Sequence, residues 1–317
     1  MFKVLTPATL AAAGPSPAVF ILDKHVLKRI VLRISYTLGA GGTIYEDGVS
    51  RLLQQIRIYN GSTPVFALSG RMLRHILASF GSAEAYTEAT ASGTGTWDFV
   101  IPFSDPMNPE YADKTGLDLR QMENPRMEID FGSAADVGSG LTFSAGSAAA
   151  CADYITLSAA ADRVRRTIDR SFVGYKFYNL PTSATRHTLA LSPRELIRRI
   201  YILVTANATP WARINTGITN LQWKVNGVPI GTHSFMDLRA MTRQVMPVAP
   251  PTGFALYNFD PEERCDPSRM LDLRGAQTFE LEVDTDATAR DVEIGFEQII
   301  LPPAPSGEVI RRSRDVR

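Results

Sequence analysis

The sequence predicts an all-β protein built from two tandem jelly-roll β-sandwiches, each with one inserted helix, which together form a double jelly roll. Three observations predict this fold class. Short segments alternate apolar and polar residues, turn residues separate these segments, and the order strand, turn, strand, helix occurs twice. A parallel α/β fold would instead need a helix after most strands.

The repeated unit covers residues 47–80 and residues 216–246. Each copy has an Asn-Gly pair between two extended runs, which indicates a hairpin turn because these residues tolerate a positive φ. The apolar residues then recur every three or four positions. This period predicts helices over residues 71–80 and 236–245.

The duplication extends over most of the chain. The separation between matched positions is greatest at Arg29 and Arg199, and it falls steadily towards Met127 and Phe279. The intermediate matches include the two Asn-Gly turns and two Leu-Asp-Leu-Arg stretches. This steady fall indicates that one ancestral domain was doubled and that its loops then changed length.

The same alternation predicts the remaining strands. In the first half they cover residues 19–22, 26–38, 52–58, 64–68, 97–103, 127–131 and 154–157. In the second half they cover residues 172–180, 188–191, 197–205, 221–225, 228–235, 255–259, 279–283 and 292–301. Residues 132–150 are mostly Gly, Ala and Ser, which predicts a surface loop.

The last strand illustrates the expected burial. Val292, Ile294 and Phe296 alternate with Glu293, Gly295 and Glu297. Such alternation is typical of antiparallel strands with one face on the core and one in water. We therefore expect this strand to be half-buried.

These elements divide the chain into parts. Residues 1–17, rich in Ala, Pro and Thr, are predicted to form an N-terminal arm, and residues 302–317 a polar C-terminal tail. Residues 18–160 are predicted to form the first jelly roll and residues 161–301 the second, with a charged connector at residues 161–170. The length of 317 residues also favours two domains.

The composition excludes several classes of protein. Lys plus Arg and Asp plus Glu each total 33, and without a basic excess we expect no direct sequence-specific binding of nucleic acid. Cys151 and Cys265 are the only cysteines, and we expect both to be reduced. The N-terminal apolar run is too interrupted for a secretion signal, and no run approaches the roughly 18 residues of a membrane span. We therefore expect synthesis in a reducing cytoplasm.

The residue types that bind metals or phosphates lack the necessary spacing. His25, His75, His187 and His233 are scattered without a His-x-His pair, so we interpret them as surface or packing residues. The glycine-rich run at residues 39–42 lacks the lysine of a phosphate-binding loop. The acidic residues at 284–286 lack the glycine and closing glutamate of a calcium loop and predict a hairpin turn. We predict no catalytic, cofactor-binding or metal-binding residues and no cofactor, in a protein that is not an enzyme.

An alternative hypothesis is a two-domain carbohydrate-binding or glycoside-cleaving β-sandwich protein. Glu262 with Glu263, or Glu280 with Glu282, would supply the paired carboxylates of a glycosidase, but spacing alone does not select them. Aromatic residues gathered in one cleft would support this hypothesis. The residues that test it are Trp97, Trp211 and Trp223.

The architecture resembles a known family. A tandem pair of jelly rolls, each with an Asn-Gly hairpin, one helix and a Leu-Asp-Leu-Arg stretch, resembles the double jelly-roll major capsid proteins of tailless icosahedral viruses. The likeness covers residues 18–301 and is closest to the bacteriophage members, whose shells usually enclose a membrane. It rests on architecture and internal duplication rather than on a diagnostic motif.

The resemblance implies a structural role in a virion. It implies a homotrimer whose six jelly rolls form a pseudo-hexameric tile, with neighbouring trimers, other capsid proteins such as the penton, and an internal viral membrane as partners. The arm and the tail would then be candidates for contacts below or between tiles. It carries no catalytic residues with it, and the arginine-rich tail, with about one net positive charge, would assist membrane contact without creating it.

Overall fold

The protein is described here from a computed structural model, in which the chain folds into two adjacent β-sandwiches. The structure describes residues 2–5, 8–10, 17–39, 41–80, 93–104, 116–120, 122–155, 169–182, 184–191, 195–207, 212–260, 262, 268–286 and 288–300.

The first half contains twelve described strands and three described helices. The strands are β1 (Phe2–Val4), β2 (Ala8–Leu10), β3 (Ala18–Ile21), β4 (Val26–Leu38), β5 (Thr43–Ile44), β6 (Leu53–Asn60), β7 (Thr63–Leu68), β8 (Gly93–Pro102), β9 (Leu117–Asp118), β10 (Arg126–Phe131), β11 (Gly138–Ser139) and β12 (Phe143–Ile155). The helices are α1 (Gly48–Arg51), α2 (Gly70–Ser79) and α3 (Ala134–Val137).

The second half contains nine described strands and one described helix. The strands are β13 (Asp169–Leu180), β14 (Arg186–Leu191), β15 (Leu196–Ala206), β16 (Ile218–Val225), β17 (Val228–His233), β18 (Phe254–Asn258), β19 (Leu271–Asp272), β20 (Phe279–Thr285) and β21 (Arg290–Ile300). The helix is α4 (Phe235–Val245).

The two halves have the same topology. In the first, the antiparallel sheets have the orders β1-β12-β4-β8 and β3-β10-β6-β7; in the second, the matching orders are β13-β21-β15-β18 and β14-β20-β16-β17. In both halves the longer helix follows the matching strand, β7 or β17. Short strands add to the first sheet of each half, since β2 pairs with β12, β9 with β4 and β19 with β15. This arrangement of two packed sheets per half, with the same order of four strands in each, confirms the predicted double jelly roll.

Local sequence explains the repeated strand, turn, strand and helix unit. Asn226 and Gly227 have positive φ angles of 49° and 77°, which a two-residue hairpin turn requires. Both long helices begin after a serine: the Ser69 hydroxyl accepts a hydrogen bond from the Met72 N–H at 3.0 Å, and the Ser234 hydroxyl accepts one from Asp237. The predicted helices are confirmed to within one residue.

Two expectations about the first half are wrong. Residues 132–150 are not a surface loop, because β12 begins at Phe143 and pairs with β4 along most of its length. Its small side chains resemble a loop in composition, yet Ala148, Ala150 and Ala152 are buried against the core. Pairing with a neighbouring strand has here overridden weak strand propensity.

The expected N-terminal arm differs from the structure as well. Residues 2–4 and 8–10 form β1 and β2, which pair with the edge of β12 that faces away from β4. They satisfy backbone groups that an open sheet edge would leave unpaired. Thus part of the expected arm occupies the sheet position that β13 holds in the second half, whereas residues 302–317 lie outside the described residues.

The sheet that contains β15 and β21 has a packed layer on each side. Val292, Ile294 and Phe296 face the core of the second sandwich. Tyr201 and Phe254, on the opposite side of this sheet, belong to the hydrophobic cluster of the first sandwich. The expected wet face of β21 is therefore wrong, since Arg290 to Ile299 are all buried.

Candidate functional site: the buried junction between the sandwiches

The most extensive buried polar arrangement lies where the sandwiches meet, and we call it the junction. On one side it consists of β7 and helix α2; on the other it consists of β13, β15, β18 and β21. The Ser69 cap orients α2 so that one of its sides faces the first core and another faces the second sandwich. Eight of the ten α2 residues are consequently buried.

Glu293 of β21 is the central acidic residue of the junction. Its carboxylate accepts hydrogen bonds from the Arg71 guanidinium at 2.7 and 3.1 Å and from the Ser69 hydroxyl. Both partners belong to the first sandwich. Because Glu293 and Arg71 are almost fully buried, each charge depends on the other for compensation.

Gly295 provides the closest approach between the two layers. A Cβ atom built on Gly295 would lie 3.0 Å from a terminal methyl group of Leu68 and 3.4 Å from Cγ of Met72. The missing side chain thus leaves room for the end of β7 and the first turn of α2. This is a packing reason for glycine in the middle of a strand.

A second buried acid, Glu297, binds three side chains of β15. It accepts hydrogen bonds from Arg198 at 3.2 Å, Arg199 at 2.8 Å and the Tyr201 hydroxyl at 2.6 Å. Arg198 also donates to Asp260 at 3.0 Å. The Arg199 guanidinium lies 5.3 Å from the centre of the Phe80 ring, which extends this cluster to the first sandwich.

A third cluster surrounds Asp47, just before α1. Its carboxylate accepts a hydrogen bond from His75 Nε2 at 2.9 Å and forms ion pairs with Arg74 and, at 3.3 Å, with Arg213 of the second sandwich. Arg213 also contacts Glu46 at 2.6 Å. Three cationic or polar groups therefore converge on one buried carboxylate.

These contacts set the ionisation of the cluster. Burial alone would raise the pKa of Asp47, but His75, Arg213 and Arg74 outweigh it and hold the pKa below its usual value. Burial lowers the pKa of His75, and the two arginines act in the same direction against the attraction of Asp47. His75 is thus a neutral donor to an ionised carboxylate at neutral pH.

A polar pocket of about 380 Å³ opens beside the Arg71 and Glu293 pair. Its lining residues are Arg51, Leu53, Gln54, Ser69, Arg71, Asp136 and Glu293. Burial and the neighbouring charge of Arg71 lower the pKa of Arg51, and burial raises the pKa of Asp291 nearby. The pocket is small and its principal charges, those of Arg71 and Glu293, are bound to each other.

The junction is suited to holding two bodies in one orientation. Its acids face arginines, a hydroxyl or a histidine, so the arrangement stabilises a contact rather than presenting a reactive group. Within the ranges that the structure describes, no three His, Cys, Asp or Glu side chains gather as a metal site would require. Among the same residues, no helix has the length and apolar character needed to cross a membrane.

The structure separates the residues that the sequence singled out. Of the four histidines, only His75 lies in the junction; His25 packs on Tyr154 with ring centres 5.5 Å apart and His233 on Tyr257 at 5.1 Å. His187 lies 3.5 Å from the Thr285 hydroxyl. Three of the four are therefore ordinary surface or packing residues, as predicted.

The acidic and glycine-rich candidates are structural too. Asp284 lies within β20 as the partner of Arg186, and Asp286, directly after the end of β20 at Thr285, pairs with Arg290. The hairpin turn predicted at residues 284–286 is wrong, because residues 284 and 285 belong to the strand and because β20 and β21 lie in different sheets. The run at residues 39–42 follows the end of β4, and the Gly39 N–H donates to the Thr142 carbonyl.

The residues that test the carbohydrate hypothesis do not gather into a described cleft. Trp223 is fully buried in the second core and stacks on Phe279 at 6.0 Å, so it has no free ring face for a sugar. Lys224 pairs with Glu282 on the neighbouring strand. Trp211, Glu263, Cys265 and the side chain of Trp97 lie outside the described residues.

Sequence reasoning missed Glu293, Glu297 and Asp47 as junction residues. The first two lie on the side of β21 that alternation assigns to water. One signal was available: Arg198 and Arg199 are adjacent arginines inside a predicted strand, and such a pair needs buried acids if both faces of the strand are covered. Nothing local in the sequence indicated Asp47.

Comparison with solved structures gives fold-level matches along the whole chain. The crystal structure of the STIV MCP has a TM-score of 0.71 and 17% identity, covering 95% of this chain and 96% of that one. The PBCV-1 virus capsid matches with a TM-score of 0.67 and 12% identity, covering 94% of this chain and 93% of that one. The major capsid protein P2 of bacteriophage PM2 matches with a TM-score of 0.55 and 13% identity, covering 96% of this chain and 98% of that one.

No family model and no curated protein sequence matches the chain. At these identities the likeness to the solved structures is one of fold. It extends over both jelly rolls and the junction between them, rather than over one sandwich alone.

Proposed function

We propose that this chain is a structural subunit of an icosahedral virus shell, a major capsid protein without catalytic activity. In this proposal it forms homotrimers, each a pseudo-hexameric tile of six jelly rolls, and the trimers pack against one another in the shell. The observation that carries the proposal is the match to the STIV MCP over 95% of this chain and 96% of that one. Such coverage leaves little of either chain for an additional domain.

The junction supports this role on physical grounds. A shell subunit must keep a fixed angle between its two jelly rolls, because an error in that angle would be repeated in every tile. Buried ion pairs are poor sources of net stability but penalise every arrangement in which the charges lose their partners. Arg71 with Glu293, and Asp47 with Arg213, are contacts of this kind between the two sandwiches.

The proposal includes a division of the chain and a set of partners. In this proposal the first jelly roll comprises residues 18–160 and the second comprises residues 161–301, a division that falls between the end of β12 at Ile155 and the start of β13 at Asp169. The partners are other copies of the chain, a penton protein at the vertices and a membrane beneath the shell, as in membrane-containing bacteriophages. The protein would be made in the host cytoplasm and would function in the virion.

Mass and shape test the proposal. The purified full-length chain should sediment at three times its 34.8 kDa mass and should appear as six-lobed tiles by electron microscopy. A protein that stays monomeric at high concentration and never joins particles when produced with its partners would contradict the capsid role. Turnover of glycans, lost in one carboxylate variant that still folds, would favour the carbohydrate enzyme instead.

A further inference from the structure

The two long helices, α2 and α4, differ in the burial of one side, and the internal duplication allows this side to be compared position by position. Matched positions in α2 and α4 keep the spacing of Leu73 and Leu238, which are buried in their own cores. Five positions form another side of each helix, and all five are buried in α2 but exposed in α4. These pairs are Arg71 and Met236, Met72 and Asp237, His75 and Ala240, Ile76 and Met241, and Ser79 and Gln244.

The difference in burial arises because the second sandwich packs on α2, not because the two helices have different positions in their own sandwiches. The second sandwich covers this side of α2: Glu293 bonds Arg71, Gly295 lies against Met72, and the Phe254 ring is 6.0 Å from His75. Within the described residues, the matching side of α4 has no such cover. Each chain thus has one helix whose side is covered by the other sandwich, α2, and one helix whose matching side is uncovered among the described residues, α4.

The uncovered side of α4 carries two exposed methionines, in a stretch of the described chain that is rich in exposed apolar residues. Met236 is 58% exposed and Met241 is 40% exposed, and Val228, Ile230 and Val248 nearby in the chain are exposed too. The short stretch from Val228 to Val248 therefore holds more than half of the large exposed hydrophobic residues that the structure describes. Grouped exposed apolar residues mark interaction surfaces, and methionine is enriched in them.

Strand registers identify the surface of the first sandwich that matches the cover. Glu293 pairs with Leu203 of β15. Leu203 matches Arg33 of β4, at the same spacing as Arg199 and Arg29. Arg33 pairs with Ala149 of β12, so Ala149 is the counterpart of Glu293.

The next outward-facing position leads to the same strand of the first sandwich. Gly295 pairs with Tyr201, and Tyr201 matches Val31. Val31 pairs with Cys151 of β12, so Cys151 is the counterpart of Gly295. The surface around Val31, Ala149 and Cys151 is therefore the counterpart of the junction surface on β15 and β21.

The ion pairs of the two sheets support this register. In the first sandwich, Arg29 of β4 donates to Asp153 of β12 at 3.0 Å. In the second, Arg199 of β15 donates to Glu297 of β21 at 2.8 Å. The matched positions thus carry the same interaction as well as the same pairing.

We propose that the uncovered side of α4 binds this sheet surface of a second copy of the chain, in the way that α2 binds the second sandwich within one copy. The inference rests on the proposed function and identifies the contact that joins one copy to the next. Met236 would meet Ala149, an apolar side chain against a small one, where the internal junction has Arg71 against Glu293. Because the contact is head-to-tail, repeating it generates a ring when the rotation closes, and the proposed trimer is such a ring.

Charge insertion tests the helix side of the contact. Met236→Glu/Met241→Glu changes only exposed residues, so the variant should unfold at nearly the same urea concentration as the wild type. Sedimentation velocity should show the trimer replaced by monomer at concentrations where the wild type is fully assembled. The control Ile21→Glu alters an apolar residue of β3 that is even more exposed, at 69%, and should remain trimeric.

Cysteine cross-linking tests both surfaces together. Met236→Cys combined with Ala149→Cys, in a Cys151→Ser/Cys265→Ser background, should give disulfide-linked oligomers under mild oxidation, whereas the variants with only one of the two new cysteines should not. If the wild type is trimeric while the charge variant stays trimeric and no cross-link forms, this inference is overturned and the proposed function stands. If the wild type is monomeric and absent from particles, the proposed function fails, and this contact fails with it.

Discussion

Arg71 and Glu293 lie 222 residues apart in sequence and form a buried ion pair of 2.7 Å across the junction. Arg71 belongs to α2, the long helix of the first repeated unit, and Glu293 belongs to β21, the last described strand. Each charge is buried and is compensated in part by the other. The pair therefore couples the folding of the first sandwich to that of the second.

Removal of the acid should be costly. We expect Glu293→Ala to reduce the free energy of unfolding by about 3–5 kcal/mol, because it removes the carboxylate that binds the buried Arg71 guanidinium. Urea denaturation measures the change. Asp272→Ala removes the partner of Arg274 from a pair in which both side chains are about half exposed, and this control should cost no more than about 1 kcal/mol. Equal losses in the two variants would contradict the role of the buried pair.

Stability should depend on pH through His75. Burial lowers the pKa of His75 below its ordinary 6.5, so on acidification the unfolded chain takes up a proton that the folded chain excludes. The free energy of unfolding should therefore fall as the pH drops below 6.5, by up to about 1.4 kcal/mol per pH unit for this one proton. Asp47, whose folded pKa is depressed, adds stability that is complete above its ordinary 3.8 and is lost only as the pH falls through the lower folded value.

Substitution isolates the contribution of the histidine. In His75→Gln the decline between pH 6.5 and 5 should become shallower than in the wild type, because the proton uptake by the unfolded chain at this position is gone. Superimposable wild-type and His75→Gln profiles would show that burial of His75 does not control this range.

The close approach at Gly295 predicts a steric effect. Gly295→Leu should destabilise the fold by about 1–3 kcal/mol, because the new side chain must displace Leu68 and Met72 from a packed contact. Gly275→Leu is the matched control, since a Cβ atom at Gly275 meets no atom within 4 Å. Thermal melts of the two variants give the comparison, and a Gly295→Leu variant as stable as the control would exclude tight packing at this position.

Loss of core packing should abolish assembly before any other property. Phe296 is fully buried and packs edge-on against Phe279 at 6.3 Å, so Phe296→Ala should cost about 3–5 kcal/mol. His187→Ala removes a half-buried residue with one weak contact and should stay within about 0.5 kcal/mol. Particle yield in electron micrographs should fall for the first variant only, and equal yields would argue against a purely structural role for the core.

Elements with strong local signals were predictable from the sequence. β4 has the predicted bounds at Val26 and Leu38, and both long helices begin within one residue of their predicted starts. These signals can be recognised in the sequence because each acts over a few residues: alternation with a period of two, helical spacing of 3.6 and serine caps. The duplication can be recognised too, because the separation between matched positions changes steadily.

Elements that depend on distant partners were not predictable in this way. β12 is rich in Ala and Ser and becomes a strand because β4 and the N-terminal strands supply its hydrogen bonds. Gly295 and the acids of β21 alternate with apolar residues. This pattern indicates that the two faces of the strand differ in polarity, but it does not indicate what covers the polar face.

Two jelly rolls, their order along the chain and their helices could be predicted from the pattern of residues alone. Packing of one sandwich on the other was needed to show that the polar face of β21 meets α2 instead of water, and that the matching side of α4 has no cover among the described residues. The physical reason is that a buried, paired charge and a solvated charge produce the same local pattern. They differ in a partner, such as Arg71 for Glu293, that folding brings from the other sandwich.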